Sequence, residues 1–134
     1  MVADTAVLEA LRAGGLIDIT TIGRKSGTPR RIELAFHNVD GRILLSGRPG
    51  WPRDWVANVR ANPRMTFHLK GAVTADLPAT GRVITDRSER ERLLPPIAAG
   101  WGYDLGLMVA SSPLVEVTFD ALESITPPGE RQPN

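Results

Sequence analysis

Apolar positions recur along this chain with two distinct periods, and the changes of period divide it into elements. From Asp4-Thr5 to Gly14-Gly15, the residues Ala6, Val7, Ala10 and Leu11 share one face of a helix, which the paired glycines stop. This helix is expected to lie across the barrel that the strands form or across its mouth. Leu16 to Ile22 is rich in β-branched residues and reads as a strand, and Arg31 to His37 alternates in part and makes the return strand. Asn38-Val39-Asp40-Gly41 is a tight-turn signal, because Asp-Gly suits positive φ, and Arg42 to Ser46 follows as a third strand. The prolines and glycines of Gly47-Arg48-Pro49-Gly50-Trp51-Pro52 then forbid a continuing ladder.

A helix is predicted over Pro52 to Ala61, with Trp55, Val59 and Val56 turned inward and Asn62-Pro63 closing it. Arg64 to Leu69 alternates again, and Gly71 leads into a long strand from Val73 to Ile84, bent or bulged near Pro78. Asp86 or Ser88 caps a helix expected to end at Leu94, before Pro95-Pro96, with Arg87, Glu89, Arg90, Glu91 and Arg92 forming a solvated face. Leu114 to Phe119 is a last alternating strand. About six strands joined by antiparallel hairpins, with two or three helices, predict a mainly β fold: a small closed barrel covered by helices. Residues 1–125 form one domain, and 126–134, with three prolines, are expected to be a disordered tail.

Composition narrows the chemistry. The 134 residues, 42% of them hydrophobic, suit a single globular domain with its own core. No run approaches the roughly 20 apolar residues of a membrane helix, and no signal-peptide pattern opens the chain, so a cytoplasmic protein without an integral membrane segment is expected. The absence of cysteine excludes disulfides, thiolate ligands and cysteine nucleophiles. With His37 and His68 as the sole histidines, and no carboxylate cluster at ligand spacing, no metal site is expected. The net charge of +1 speaks against nucleic acid as a partner.

That small net charge hides a segregation. Between Arg24 and Arg53 stand seven basic residues (Arg24, Lys25, Arg30, Arg31, Arg42, Arg48, Arg53) and two acidic ones (Glu33, Asp40), which leaves nine basic and thirteen acidic residues elsewhere. A focused field of one sign recruits ligands of the other. The centre of this region is Thr20-Thr21-Ile22-Gly23-Arg24-Lys25-Ser26-Gly27-Thr28-Pro29-Arg30-Arg31. Gly23 and Gly27 can take positive φ and let several backbone N–H groups converge on one oxyanion, with Arg24, Lys25, Ser26, Arg30 and Arg31 as further donors. A solvated hairpin turn would carry similar residues, so composition alone leaves an anion clamp and an ordinary turn both open.

Three stretches together carry a resemblance. Thr21-Ile22-Gly23-Arg24-Lys25-Ser26-Gly27-Thr28-Pro29-Arg30, then Asp40-Gly41-Arg42-Ile43-Leu44-Leu45, then Trp55-Val56-Ala57-Asn58-Val59-Arg60-Ala61-Asn62-Pro63 resemble, in order and spacing, the deazaflavin-dependent nitroreductases of actinobacteria. The resemblance runs from about Leu16 to Leu69. It implies a split β-barrel, shared with flavin-binding pyridoxamine phosphate oxidase relatives, and the coenzyme F420, whose anionic phospholactyl and oligoglutamate tail lies against the Gly-Arg-Lys-Ser-Gly turn. It places Gly23, Arg24, Lys25, Ser26, Gly27 and Arg30 on the tail, and Trp55 and Asn58 on the helix that faces the cofactor, where Trp55 could equally be core. Where the family carries Ser-Lys-Gly-Gly after the third strand, this chain has Gly47-Arg48-Pro49-Gly50; Arg48 can replace the lysine's charge, whereas Pro49 removes a backbone donor.

The resemblance implies an oxidoreductase that passes a hydride from reduced F420 to a small electron-poor acceptor such as a quinone, enone or nitro compound. The protein would be a monomer or homodimer. Tyr103 is the candidate catalytic residue, as proton donor or substrate hydrogen-bonding group, in an apolar pocket with Trp51, Trp101 and Met108. Two alternatives remain open at this level. FMN could place its phosphate in the same turn, or the barrel could carry a cofactor, haem or lipid without turnover, with His37 and His68 as axial ligands.

Overall fold

The computed structural model describes residues 5–50 and 53–120. The expected tail after Thr126 and the proposed pocket residue Trp51 lie outside the described residues. Six antiparallel strands close into a barrel: β1 (Gly15–Ile22), β2 (Pro29–Val39), β3 (Arg42–Ser46), β4 (Arg64–Leu69), β5 (Ala75–Val83) and β6 (Leu114–Phe119), in the spatial order β1-β2-β3-β6-β5-β4. Four helices are described: α1 (Thr5–Ala13), α2 (Asp54–Ala61), α3 (Arg87–Trp101) and α4 (Leu105–Ser111). The architecture is the split barrel that the sequence led us to expect.

The barrel interior is filled from alternate strand positions, as the pleat requires. Fully buried Phe67 stands at its centre, meeting Phe36 and Phe119 edge-on at centroid distances of 5.2 and 5.1 Å. Leu11 of α1 joins this cluster, and Asn38 donates from Nδ2 to the Leu11 carbonyl, so α1 plugs the barrel. It plugs the end where β1 starts, remote from the basic turn, so it lies across the barrel, one of its two expected placements.

A second core lies outside the barrel, where Leu44, Ile84, Leu93, Leu94, Ile97, Met108 and Leu114 pack α3 and α4 onto it. Ile43-Leu44-Leu45 is apolar at every position because β3 is covered on both faces: Ile43 and Leu45 point into the barrel and Leu44 toward the helices.

The expected end of the third helix at Leu94 is corrected. α3 runs through Pro95 and Pro96 to Trp101. Each proline removes an intrahelical donor, at about 3 kcal/mol or more for an interior site. Here Pro96 is exposed and Pro95 half-buried, so the carbonyls they orphan at Glu91 and Arg92, both exposed residues, are open to water. Burial of Leu93, Leu94, Ile97 and Ala98 on the opposite face, at about 1.5–3 kcal/mol for each large apolar side chain, outweighs the loss. Gly102, at φ 72°, terminates the helix in the left-handed conformation.

The expectation of a solvated charged face on α3 also fails at two positions. Arg90 is 9% exposed and donates to the carbonyls of Ile84, Met108, Val109 and Ser112. Glu89 bridges Arg42 and Arg82, at 2.8 and 2.6 Å, and both arginines also reach Glu116 at 2.8 Å. This lattice ties the start of α3 to β3, β5 and β6. Pro78 sits inside β5 at a point where β6 has ended: its carbonyl accepts from the Asp120 N–H, beyond the last ladder pair, so the missing donor on the same side breaks no ladder bond.

Candidate functional site

The basic turn follows directly from the β1–β2 ladder. Ile22 pairs with Pro29, and the chain between them closes with Gly23 N–H donating to Thr28 O (2.8 Å) and Gly27 N–H to Gly23 O (2.8 Å). Gly27 takes φ 71°, which a side chain rarely adopts. Gly23 makes room for the serine instead: a Cβ there would stand 2.5 Å from Ser26 Oγ and turn that side chain away from Thr28, while Thr28 O and Arg30 Nε, at 3.4 and 3.5 Å, would be in ordinary contact. Ser26 Oγ accepts from the Thr28 N–H at 3.2 Å and lies 2.8 Å from Thr28 Oγ1; with Thr28 as the donor in that pair, the Ser26 hydroxyl proton is left for a guest.

What fixes the turn in space is α2. Asn58, 5% exposed, accepts on Oδ1 from both the Arg24 N–H (3.1 Å) and Arg24 Nη1 (3.0 Å), while Arg24 Nη2 meets Asp54 Oδ1 at 3.3 Å. α2 in turn is seated on the barrel by Val59, which is 1% exposed, and by Gly81, whose N–H donates to the Pro63 carbonyl at 2.9 Å. A Cβ on Gly81 would lie 2.9 Å from Val59 Cγ1, so the close approach of helix to strand depends on glycine here.

These contacts bound a cavity of about 400 Å³. Seven of the nine residues predicted to bind the cofactor line it: Gly23, Arg24, Lys25, Ser26, Arg30, Trp55 and Asn58. Gly27 shapes the turn without lining the cavity. Arg48 is exposed and outside it, so its assigned part in the clamp is not supported. Trp55 is half-buried and both packs on the barrel core and lines the cavity, which joins the two readings of that residue. Arg31, expected in the clamp, points to the opposite face by strand alternation, where its Nε meets Asp18 Oδ2 at 3.0 Å and leaves Arg30 on the cavity side.

The expected nest of converging N–H groups is corrected as well. The N–H groups of Gly23, Arg24, Gly27 and Thr28 are all taken by protein acceptors, and among the described residues only those of Lys25 and Ser26 within the turn lack one. Arg24, counted as a ligand donor, is a strut between the turn and α2. The donor set left for a guest is the Lys25 ammonium, the Arg30 guanidinium and the Ser26 hydroxyl, with Asp54 as the one carboxylate, already ion-paired to Arg24. Such a set fits a phosphate or carboxylate oxygen and disfavours a cation.

Tyr103 is not brought to this site. Its ring lies 6.2 Å from Trp101, and Trp101 meets His37 at 4.8 Å, near the Gly15–Phe36 end of the β1–β2 ribbon. Seven residue pairs separate that end from the turn, roughly 24 Å at strand spacing. Met108 is fully buried in the second core. Of the four residues expected to build the apolar pocket, Trp51 lies outside the described residues, Met108 is buried in the second core, and Trp101 and Tyr103 stand at the far end of the barrel from the turn, because α3 runs on past its prolines.

A larger cavity, about 660 Å³, lies on the other side of α2. Arg53, Val56, Ala57 and Arg60 line it from the helix, against Val83 and Ile84 of the barrel and Val109 to Leu114 after α4. It went unnoticed in the sequence because its walls come from four separated segments. The alternating assignment of α2 residues, Asp54, Trp55 and Asn58 to one cavity and Arg53, Val56, Ala57 and Arg60 to the other, follows from 3.6-residue periodicity.

The histidines do not form a ligand pair. His68 Nε2 meets Thr20 Oγ1 at 2.6 Å and its Nδ1 meets Asp76 Oδ1 at 2.7 Å, so both ring nitrogens are engaged. His37 is held below its ordinary pKa by burial. Among the described residues no group of three or more His, Asp or Glu side chains is placed to hold a metal, and no helix is long and apolar enough to cross a membrane.

Several solved structures share this fold. A protein of Clostridium acetobutylicum related to general stress protein 26, of the pyridoxinephosphate oxidase family, is 16% identical, with 91% of this chain and 94% of that one covered and a TM-score of 0.63. A conserved hypothetical protein from Mycobacterium tuberculosis is 15% identical, with 90% and 82% covered and a TM-score of 0.70. An F420-H2 dependent reductase, FDR-A, is 23% identical, with 78% and 94% covered and a TM-score of 0.58. At these identities the likeness concerns the fold. Residues 3–104, which hold the whole turn, α2 and both cavity-lining strands of the clamp, match the family model F420H(2)-dependent quinone reductase. The chain belongs to that family and is an F420-dependent oxidoreductase.

Proposed function

We propose that the cavity beside the Gly23–Gly27 turn holds the anionic tail of F420 and that the protein reduces a small electron-poor acceptor of the quinone, enone or nitro class. The single observation that carries this reading is the convergence of Lys25, Arg30 and Ser26 on one cavity whose lone carboxylate is already paired. When bound, reduced F420 supplies a hydride to the acceptor.

The chain's own part is binding and orientation. Lys25 acts as a mobile point charge, Arg30 offers a planar fork, and the Lys25 and Ser26 N–H groups can each donate to an oxyanion. Asn58 keeps the turn in one conformation before the ligand arrives, which lowers the ordering cost of binding. Trp55 gives the cavity an apolar wall. Lys25, Ser26 and Arg30 are exposed, so their charged contacts to a guest weaken as salt rises. Reduction of a quinone also consumes a proton, and with Tyr103 far from the turn solvent supplies it.

The test is a titration of F420 fluorescence. Wild-type protein is expected to perturb the emission saturably, and Lys25→Ala and Arg30→Ala each to weaken binding about tenfold or more, the scale of one charge-assisted hydrogen bond at about 1.5–3 kcal/mol. Binding that neither substitution alters would overturn the assignment of these residues.

A further inference from the structure

We propose that the cavity behind α2 is the acceptor site and that it selects flat, apolar acceptors carrying an acidic group, such as a quinone with a sulfonate or carboxylate substituent. Its volume of about 660 Å³ suits a compound of two or three fused rings. Three features point to a negatively charged guest. First, no Asp or Glu lines the cavity, while Arg53, Arg60 and Arg87 do. Arg87 is shared with Glu91 at 3.5 Å, but Arg60 has no carboxylate partner among the described residues.

Second, Arg90, 9% exposed, is part of the lining, with its guanidinium bonded to four backbone carbonyls and to no carboxylate among the described residues. Carbonyl dipoles satisfy its hydrogen bonds but leave its full charge in place, and a buried charge without a counter-ion projects a positive potential into the adjoining space. Third, Ser112 is 4% exposed, lines the cavity, and its Oγ has no hydrogen-bond partner. Buried hydroxyls are normally satisfied; this one is covered by its neighbours, and a rotation about χ1 would offer it to a guest oxygen and complete its pairing. Val56, Val83, Ile84 and Leu114 supply the apolar walls for the ring system.

The link to turnover rests on the F420 reading above; the binding preference does not. Reduction adds two electrons and two protons to the quinone, giving the hydroquinone as F420H2 is oxidised to F420. The experiment compares 1,4-naphthoquinone-2-sulfonate with neutral 2-methyl-1,4-naphthoquinone on full-length protein, first by tryptophan quenching without cofactor and then by kcat/KM with F420H2. Wild-type protein is expected to bind the sulfonate at least tenfold more tightly. Arg60→Ala and Arg60→Glu are expected to remove that preference and leave the neutral quinone within twofold, while Lys25→Ala weakens F420 and leaves sulfonate binding unchanged. Equal binding of the two quinones, or sulfonate binding indifferent to Arg60→Glu, overturns the inference even where F420 binds. Conversely, an Arg60-dependent preference in protein that does not bind F420 upholds the cavity assignment and removes the reductase reading.

Discussion

Asn58→Ala isolates the role of α2 in holding the turn. One buried oxygen, Asn58 Oδ1, accepts both the Arg24 N–H and its guanidinium. Loss of a hydrogen bond to a charged group costs about 1.5–3 kcal/mol, and loss of a neutral one about 0.5–1.5 kcal/mol. The Arg24 side chain is 32% exposed and retains Asp54, so water and that carboxylate recover part of the first figure. A net loss of about 2 kcal/mol remains for the turn. Because a surface turn can loosen without global unfolding, only a part of this should appear in the unfolding free energy. The rest should appear as lost preorganisation, a rise in the Kd for F420 of about 10- to 30-fold at 1.4 kcal/mol per decade. The assay is F420 fluorescence titration paired with urea unfolding of the same preparation. Asp54→Ala serves as the contrast: the Asp54 side chain is 91% exposed, its ion pair is worth at most about 1 kcal/mol, and its removal takes a negative charge away from the anion site. Its affinity for F420 should be unchanged or tighter. An Asn58→Ala protein that binds F420 within twofold of wild type would refute the idea that α2 preorganises the turn.

Gly81→Ala should destabilise the protein by about 1–3 kcal/mol in urea unfolding, since the new Cβ would meet Val59 Cγ1 at 2.9 Å and Val115 Cγ1 at 3.1 Å, and Gly100→Ala, with nothing within 4 Å, should not. Hydrogen bonds from Arg82, then from Arg42, hold the Glu89 carboxyl at about 2, well below its ordinary value of 4.5. A folded pKa below the unfolded one means that stability is complete above about pH 4.5 and is lost as pH falls toward 2, so Glu89→Gln should flatten the acid limb of a stability–pH curve over that window. Burial lowers the His37 pKa below 6.5, so the folded state resists the proton that the unfolded chain accepts. Stability should therefore decline as pH drops below about 6.5, and His37→Gln should remove that part of the slope.

Where local pattern and tertiary environment agreed, the sequence was legible. Arg42–Ser46, Arg64–Leu69 and Leu114–Phe119 are strands with the expected bounds, because short apolar runs between turn residues leave few alternatives. The lining of the cavity at the turn was legible because Gly23, Arg24, Lys25 and Ser26 are contiguous and α2 follows close behind. Tertiary packing decided the rest. Pro95-Pro96 reads as a stop unless one knows that Leu93, Leu94, Ile97 and Ala98 bury the other face. Arg90 looked like one of five surface charges, and only the return of the chain through Ile84 and Met108 to Ser112 makes it a buried staple. Tyr103 was assigned to the site because it is the sole tyrosine, but the length of α3 decides where it ends up. Arg31 could have been separated from Arg30 by strand alternation alone.

The central claim is that the turn grips the negatively charged tail of the coenzyme. The most direct measurement titrates the protein with F420 and, in parallel, with the same deazaflavin stripped of its phospholactyl and glutamate tail, following chromophore fluorescence at low salt. We expect F420 to bind at least 30-fold more tightly, and the advantage to shrink to a few-fold in Lys25→Ala/Arg30→Ala protein. Equal affinity of the two compounds for the wild-type protein would contradict the account.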